Sequence, residues 1–181
     1  MHGIRIYSRH RFGELYAPLF EPLRGHSWLT LSESFQYPAE WIDESTFDAA
    51  GEVCLAGPVK DFEAEVTRIC DVTPMTRTTY GYSANTDIFP KFAAAVSEDW
   101  SSIFGVAGAV AEPRRWLEDY YNAKDRARYL SEHADAVFLS VDGSFWACFT
   151  KSERFLKLLE SHLQSLQVTT DPIQLSDLEY L

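Results

Sequence analysis

Alternation of apolar and polar positions marks the first part of the chain. Ile4 and Ile6 alternate with Arg5 and Tyr7, and Trp28, Thr30 and Ser32 alternate with Leu29, Leu31 and Glu33, the period of two expected of half-buried strands. A short apolar run over 52–56 closes at Gly57 and Pro58, alternation resumes over 65–72 until Pro74 stops it, and the β-branched and aromatic stretch 76–82 predicts a further strand. Beyond Asp87 the period changes. Phe92, Ala95, Val96, Trp100 and Ile103 recur at helical spacing, which predicts a helix over 88–104 ended by Gly105 and Gly108. Pro113 opens a second helix, over 113–132, with Trp116, Tyr120, Ala123, Ala127 and Leu130 on one stripe opposite Arg114, Glu118, Asp125 and Arg128.

Two apolar runs, 136–141 and 144–150, flank Asp142-Gly143, the dipeptide that supplies the positive φ angles of a tight hairpin turn. A two-residue loop places Val141 opposite Ser144, Leu139 opposite Trp146 and Val137 opposite Cys148, with Phe138 and Ser140 sharing the other face with Ala147 and Phe145. Both faces are apolar, so the hairpin belongs in the middle of its sheet and Trp146 in the core. Thr150 and Glu153 have the spacing of a capping box, which predicts a helix over 151–166 with Phe155, Leu158, Leu159, His162, Leu163 and Leu166 inward and His162 as a hydrogen-bonded core histidine. The tail 167–181, with Asp171, Asp177 and Glu179 and no basic residue, reads as loosely held or extended along the surface. No repeat or linker divides the chain. The expected architecture is a single α+β domain over 1–181, a mainly antiparallel sheet with about three helices packed on it.

Composition agrees with a packed interior: 46% of the 181 residues are apolar, with 5 Trp, 9 Tyr and 12 Phe, and a chain of this length buries roughly 70% of its unfolded surface. The first sixteen residues lack the continuous apolar core of a signal peptide, and no window approaches the ~20 apolar residues of a membrane span, so a cytoplasmic protein without membrane contact is expected. Cys54, Cys70 and Cys148 lie far apart with no CxxC pair, as buried free thiols do. The five histidines, His2, His10, His26, His133 and His162, make no HxxxH, HExxH or HxH group, so no metal site is assigned. Gly105-Val106-Ala107-Gly108 lacks the Lys-Ser/Thr ending of a phosphate loop, and no nucleophile elbow appears. Neither a cofactor nor a catalytic residue is assigned.

Charge adds the most to this picture. The chain carries a net −11 at pH 7. From 40 to 65 the eight acids Glu40, Asp43, Glu44, Asp48, Glu52, Asp61, Glu63 and Glu65 face Lys60 alone, a local balance of −7, and Trp41, Phe47 and Phe62 lie among them. Such a field repels nucleic acid and anionic membrane and attracts a basic protein, while aromatics supply the apolar anchors of an interface. Trp41, Asp43, Glu44, Asp48, Glu52, Asp61, Phe62 and Glu63 are therefore the candidate partner-binding residues.

The segment 136–163, with Asp142-Gly143, the Phe145-Trp146 pair and the capped helix that follows, resembles the closing strand-turn-strand-helix of small acidic immunity proteins from bacterial polymorphic and contact-delivered toxin systems. That resemblance implies a protein that blocks the basic substrate cleft of a cognate toxin enzyme. The competing class is a small enzyme or ligand-binding domain whose site draws on Arg77, Tyr80, Tyr82, Asn85 and Asp87, in the polar stretch TRTTYGYSANTD.

Overall fold

The computed structural model describes residues 1–8, 10, 12–16, 19–31, 76–77, 81–85, 100–141 and 144–178, with 76–77, 81–85, 100 and 141 described at the level of the backbone. Its strands are β1 (His2–Tyr7), β2 (His26–Leu31), β3 (Thr76–Arg77), β4 (Gly81–Asn85), β5 (Trp100–Ala107), β6 (Ala136–Val141), β7 (Phe145–Thr150) and β8 (Thr169–Ile173). Its helices are α1 (Phe12–Tyr16), α2 (Pro113–Asn122), α3 (Arg126–His133) and α4 (Glu153–Ser165), and a 3-10 turn covers Leu175–Asp177. The eight strands form one sheet in the order β3-β4-β2-β5-β6-β7-β1-β8, and every neighbouring pair is antiparallel. This is an α+β fold.

Strand alternation sends side chains to two faces, and both are buried. On one face Ile4, Ile6, Trp28, Ile103, Phe138, Trp146 and Cys148 pack under α1 and α4 through Phe12, Leu15, Tyr16, Phe155, Leu159 and Leu163. On the other, Leu29, Phe104, Val137, Leu139, Ala147 and Phe149 pack under Leu117 and Tyr120 of α2 and Leu130 of α3. Aromatic rings dominate the first layer: Phe138 lies 4.3 Å from Tyr16 and 5.7 Å from Trp28, centroid to centroid. Burying each such side chain contributes about 1.5–3 kcal/mol, which makes this layer a main source of stability. Cys148 is buried within it, and burial pushes its thiol pKa well above the ordinary value.

Several sequence expectations are corrected. Residues 100–104, expected as the end of a helix, belong to β5, a central strand with Ile103 buried on one face and Phe104 on the other. Burial on both faces erases the period-two signal, and the tertiary pairing with β2 and β6 decides the conformation. Gly105 does not end a helix but lies opposite Trp28, whose indole would stand 3.2 Å from a Cβ there, a tight contact. The stretch 76–82 is not one strand: Thr76–Arg77 and Gly81–Asn85 pair with each other.

The 136–150 hairpin exists and is central, but its register is shifted by one residue. Val141 pairs with Phe145, Ser140 with Trp146, Leu139 with Ala147 and Phe138 with Cys148. Three residues, not two, connect the strands, and one added residue exchanges the faces of everything on the second strand relative to the first. Trp146 therefore shares a face with Phe138 rather than Leu139.

Thr150 is the last residue of β7, paired with His2 and Ala136, and the cap of α4 is Ser152, whose Oγ accepts from the Phe155 amide at 3.2 Å. Thr150 instead accepts the Ser152 amide at 3.0 Å, and Glu153 stands at the first helical position, too early to close a capping box. Ser152→Ala is expected to cost about 1 kcal/mol, checked by chemical denaturation. A loss equal to that of Thr150→Ala would place the cap wrongly.

The helix expected over 113–132 is two helices. Asp125 accepts the Arg128 amide at 2.9 Å, capping α3 and interrupting the apolar stripe. The tail is held rather than loose. Over Thr169–Ile173 it pairs with β1, and Ile173 and Leu175 are buried. The strands expected at 52–56 and 65–72 and the helical residues 88–99 lie outside the described residues.

Candidate functional site

A cleft of about 600 Å³ opens at the end of the sheet where β2 and β6 begin and β5 and β7 finish. Four separated segments build it: the turn 21–23 with His26, the end of β5 at Ala107, Asp135 before β6, and residues 150–155, where β7 turns into α4. Leu23 and Phe155 form its buried apolar floor, and Lys151 and Arg154 stand exposed at its edge.

Backbone and side-chain hydrogen bonds hold this end of the sheet together. Asp135 accepts the Ala107 amide through Oδ2 at 2.7 Å, donates its own amide to the Gly105 carbonyl, and accepts the Lys151 amide on its carbonyl. One residue thereby ties β5, β6 and the β7–α4 turn. The Lys151 ammonium donates to the Glu132 carbonyl at 3.3 Å. His26 Nδ1 lies 2.8 Å from the Leu23 carbonyl, to which it donates. Glu21 is joined to Arg24 at 2.6 Å. The cleft thus offers cations and donors over an apolar floor, with its two carboxylates already engaged.

The remaining histidines are dispersed. His10 Nδ1 lies 3.7 Å from the Glu14 carboxylate, and His162, half-buried rather than a core residue, donates from Nε2 to the Glu14 carbonyl at 2.9 Å, joining α4 to α1. Among the described residues no three His, Cys, Asp or Glu side chains are grouped to hold a metal ion, and no helix is long and apolar enough to cross a membrane.

Of the residues singled out in the sequence, Trp41, Asp43, Glu44, Asp48, Glu52, Asp61, Phe62 and Glu63 lie outside the described residues, as do Tyr80 and Asp87. Arg77 falls on β3, and Tyr82 and Asn85 on β4, where Arg77 and Tyr82 are cross-strand partners. Sequence reasoning did not find the cleft. Lys151 and Arg154 flank a helix start and Asp135 precedes a strand, positions that also suit purely structural roles, and no short motif joins them.

The molecule is defined by its layers: an antiparallel eight-stranded sheet, helices on both faces, and an open cleft at one sheet end. No family model, no curated protein and no solved structure matches the chain.

Proposed function

We propose that this protein is an inhibitory binding protein, an immunity protein that acts in the cytoplasm by blocking the basic substrate cleft of a cognate bacterial toxin enzyme. The observation that carries this reading is the placement of charge on the topology. β2 and β5 are hydrogen-bonded neighbours, yet residues 32–99 separate them in the chain. That excursion holds thirteen acidic and four basic residues, −9 of the net −11, so the remainder of the chain is nearly balanced. Within that excursion Gly81–Asn85 lie beside β2, with Gly81 paired to Leu31. The sheet and its helices act in this reading as a scaffold, and the acidic segment 37–65, with Trp41 and Phe62, presents carboxylates to a surface built for anionic substrate. Charge governs capture and the aromatics govern retention.

Co-expression with the neighbouring gene product, followed by pull-down, is expected to recover a basic enzyme whose activity the protein suppresses. Reversing charge at Asp43, Glu44 and Asp48 is expected to slow association about tenfold at low salt and to flatten its salt dependence. Trp41→Ala is expected to raise the dissociation rate about tenfold. Recovery of an acidic partner, or binding unchanged by these substitutions and abolished by changes on α2, would overturn the assignment.

A further inference from the structure

We propose that the cleft between the 21–23 turn and the start of α4 is a binding site for a small organic phosphate, with the phosphate held by Lys151 and Arg154 and the organic part lying on Leu23, Pro22 and Phe155. This goes beyond the protein-binding reading, since it uses the His26 end of β2, opposite to the Leu31 end that precedes the acidic segment in the chain.

Three observations carry it. The volume, about 600 Å³, falls within the ~300–1,000 Å³ of small-ligand sites. The polarity is divided as an amphipathic ligand requires, with buried Leu23 and Phe155 below and the two cations at the rim. The lining sets two cations, Lys151 and Arg154, against two carboxylates, Glu21 and Asp135, and the carboxylates are already engaged. Glu21 is taken up by Arg24 at 2.6 Å, and one Asp135 oxygen is spent on the Ala107 amide at 2.7 Å. Neither Lys151 nor Arg154 forms an ion pair among the described residues. Lys151 donates to the Glu132 carbonyl, and its ammonium has three donors in all. Arg154 adds a planar fork suited to two phosphate oxygens. The thirteen-residue α4 directs the positive end of its dipole to the same place.

The probes are phenyl phosphate, inorganic phosphate and phenol, each titrated into the full-length protein and followed by amide chemical shifts and calorimetry. Phenyl phosphate is expected to bind with a Kd of about 1 mM or tighter and to shift the amides of Lys151, Ser152, Arg154 and Phe155. The Lys151→Gln/Arg154→Gln variant is expected to lose about tenfold or more in affinity, with Arg154→Lys retaining part of it. Lys157→Gln, an exposed change further along α4, is expected to leave affinity unchanged. Both double-variant positions are exposed, and far-UV circular dichroism checks that the variant keeps its fold. The proposal is overturned if those amides stay in place at about 10 mM phenyl phosphate, if inorganic phosphate or phenol binds as tightly, or if Lys157→Gln weakens binding as much as the double variant. Capture of a protein partner is expected to survive the Lys151→Gln/Arg154→Gln change, which separates this site from the acidic segment.

Discussion

Trp146→Ala is expected to lower the free energy of unfolding by about 3–5 kcal/mol, the range for deleting a fully buried large aromatic. Trp146 is 2% exposed, its indole lies 5.2 Å from the Phe12 ring and 6.0 Å from Tyr16, and its strand pairs on both sides. Truncation leaves a cavity bounded by a sheet that cannot collapse, because Ile6 and Ser140 are fixed by ladder hydrogen bonds to the same residue's strand. It also removes the ring against which the five-residue α1 packs. That helix is too short to persist without its tertiary contacts. Urea denaturation followed by far-UV circular dichroism measures the loss, and Trp146→Phe is expected to retain a substantial part of the stability. A change below about 1 kcal/mol, the ordinary range of surface substitutions and mild core changes, would mean that Trp146 does not lie where the register puts it.

Gly3→Ala is expected to cost about 1–3 kcal/mol, although it adds a single methyl group. Gly3 lies between Phe149 on β7 and Ile173 on β8, and a Cβ there would fall within the Phe149 ring and 2.5 Å from the Ile173 carbonyl oxygen. The ring can turn aside, but the carbonyl belongs to the backbone of the ladder. The strain is therefore expected to be released by parting β8 from β1. Amide exchange should accelerate at Thr169–Ile173 before it does in β6, where the ladders on both sides are untouched. Adding Phe149→Leu to Gly3→Ala is expected to recover only part of the loss. Full recovery would locate the conflict in the ring alone, and unchanged stability would remove Gly3 from the β7–β8 interval.

The α+β class and some of the strands followed from local pattern. His2–Tyr7 and His26–Leu31 occur where alternation placed strands, and the 136–150 hairpin where two apolar runs met Asp-Gly. Register did not follow. It depends on whether two or three residues bridge the strands, and with apolar residues on both faces the composition is the same in either register. β5 was illegible for the same reason, since a strand buried on both sides carries no alternation and its Trp100 and Ile103 also fit a helical stripe. The polar run TTDPI, with Asp and Pro, reads as a loop until β1 offers it an open edge. Pro172 is tolerated there because an edge strand can leave one side unpaired.

By itself, the sequence determined the α+β class, the places of β1, β2 and the 136–150 hairpin with the helix after it, and the concentration of negative charge between β2 and β5, because propensity, periodicity and composition are properties of neighbouring residues. Only the tertiary structure decided which face each strand residue took, that the tail closes the sheet, and that Leu23, His26, Asp135, Lys151 and Arg154 surround one cleft. The closing of the sheet by the tail and the meeting of the 21–26 and 150–155 segments at the cleft rest on contacts between residues more than a hundred positions apart. No local pattern encodes them, because the hydrogen bonds and buried surface that select them exist only once the antiparallel sheet has assembled.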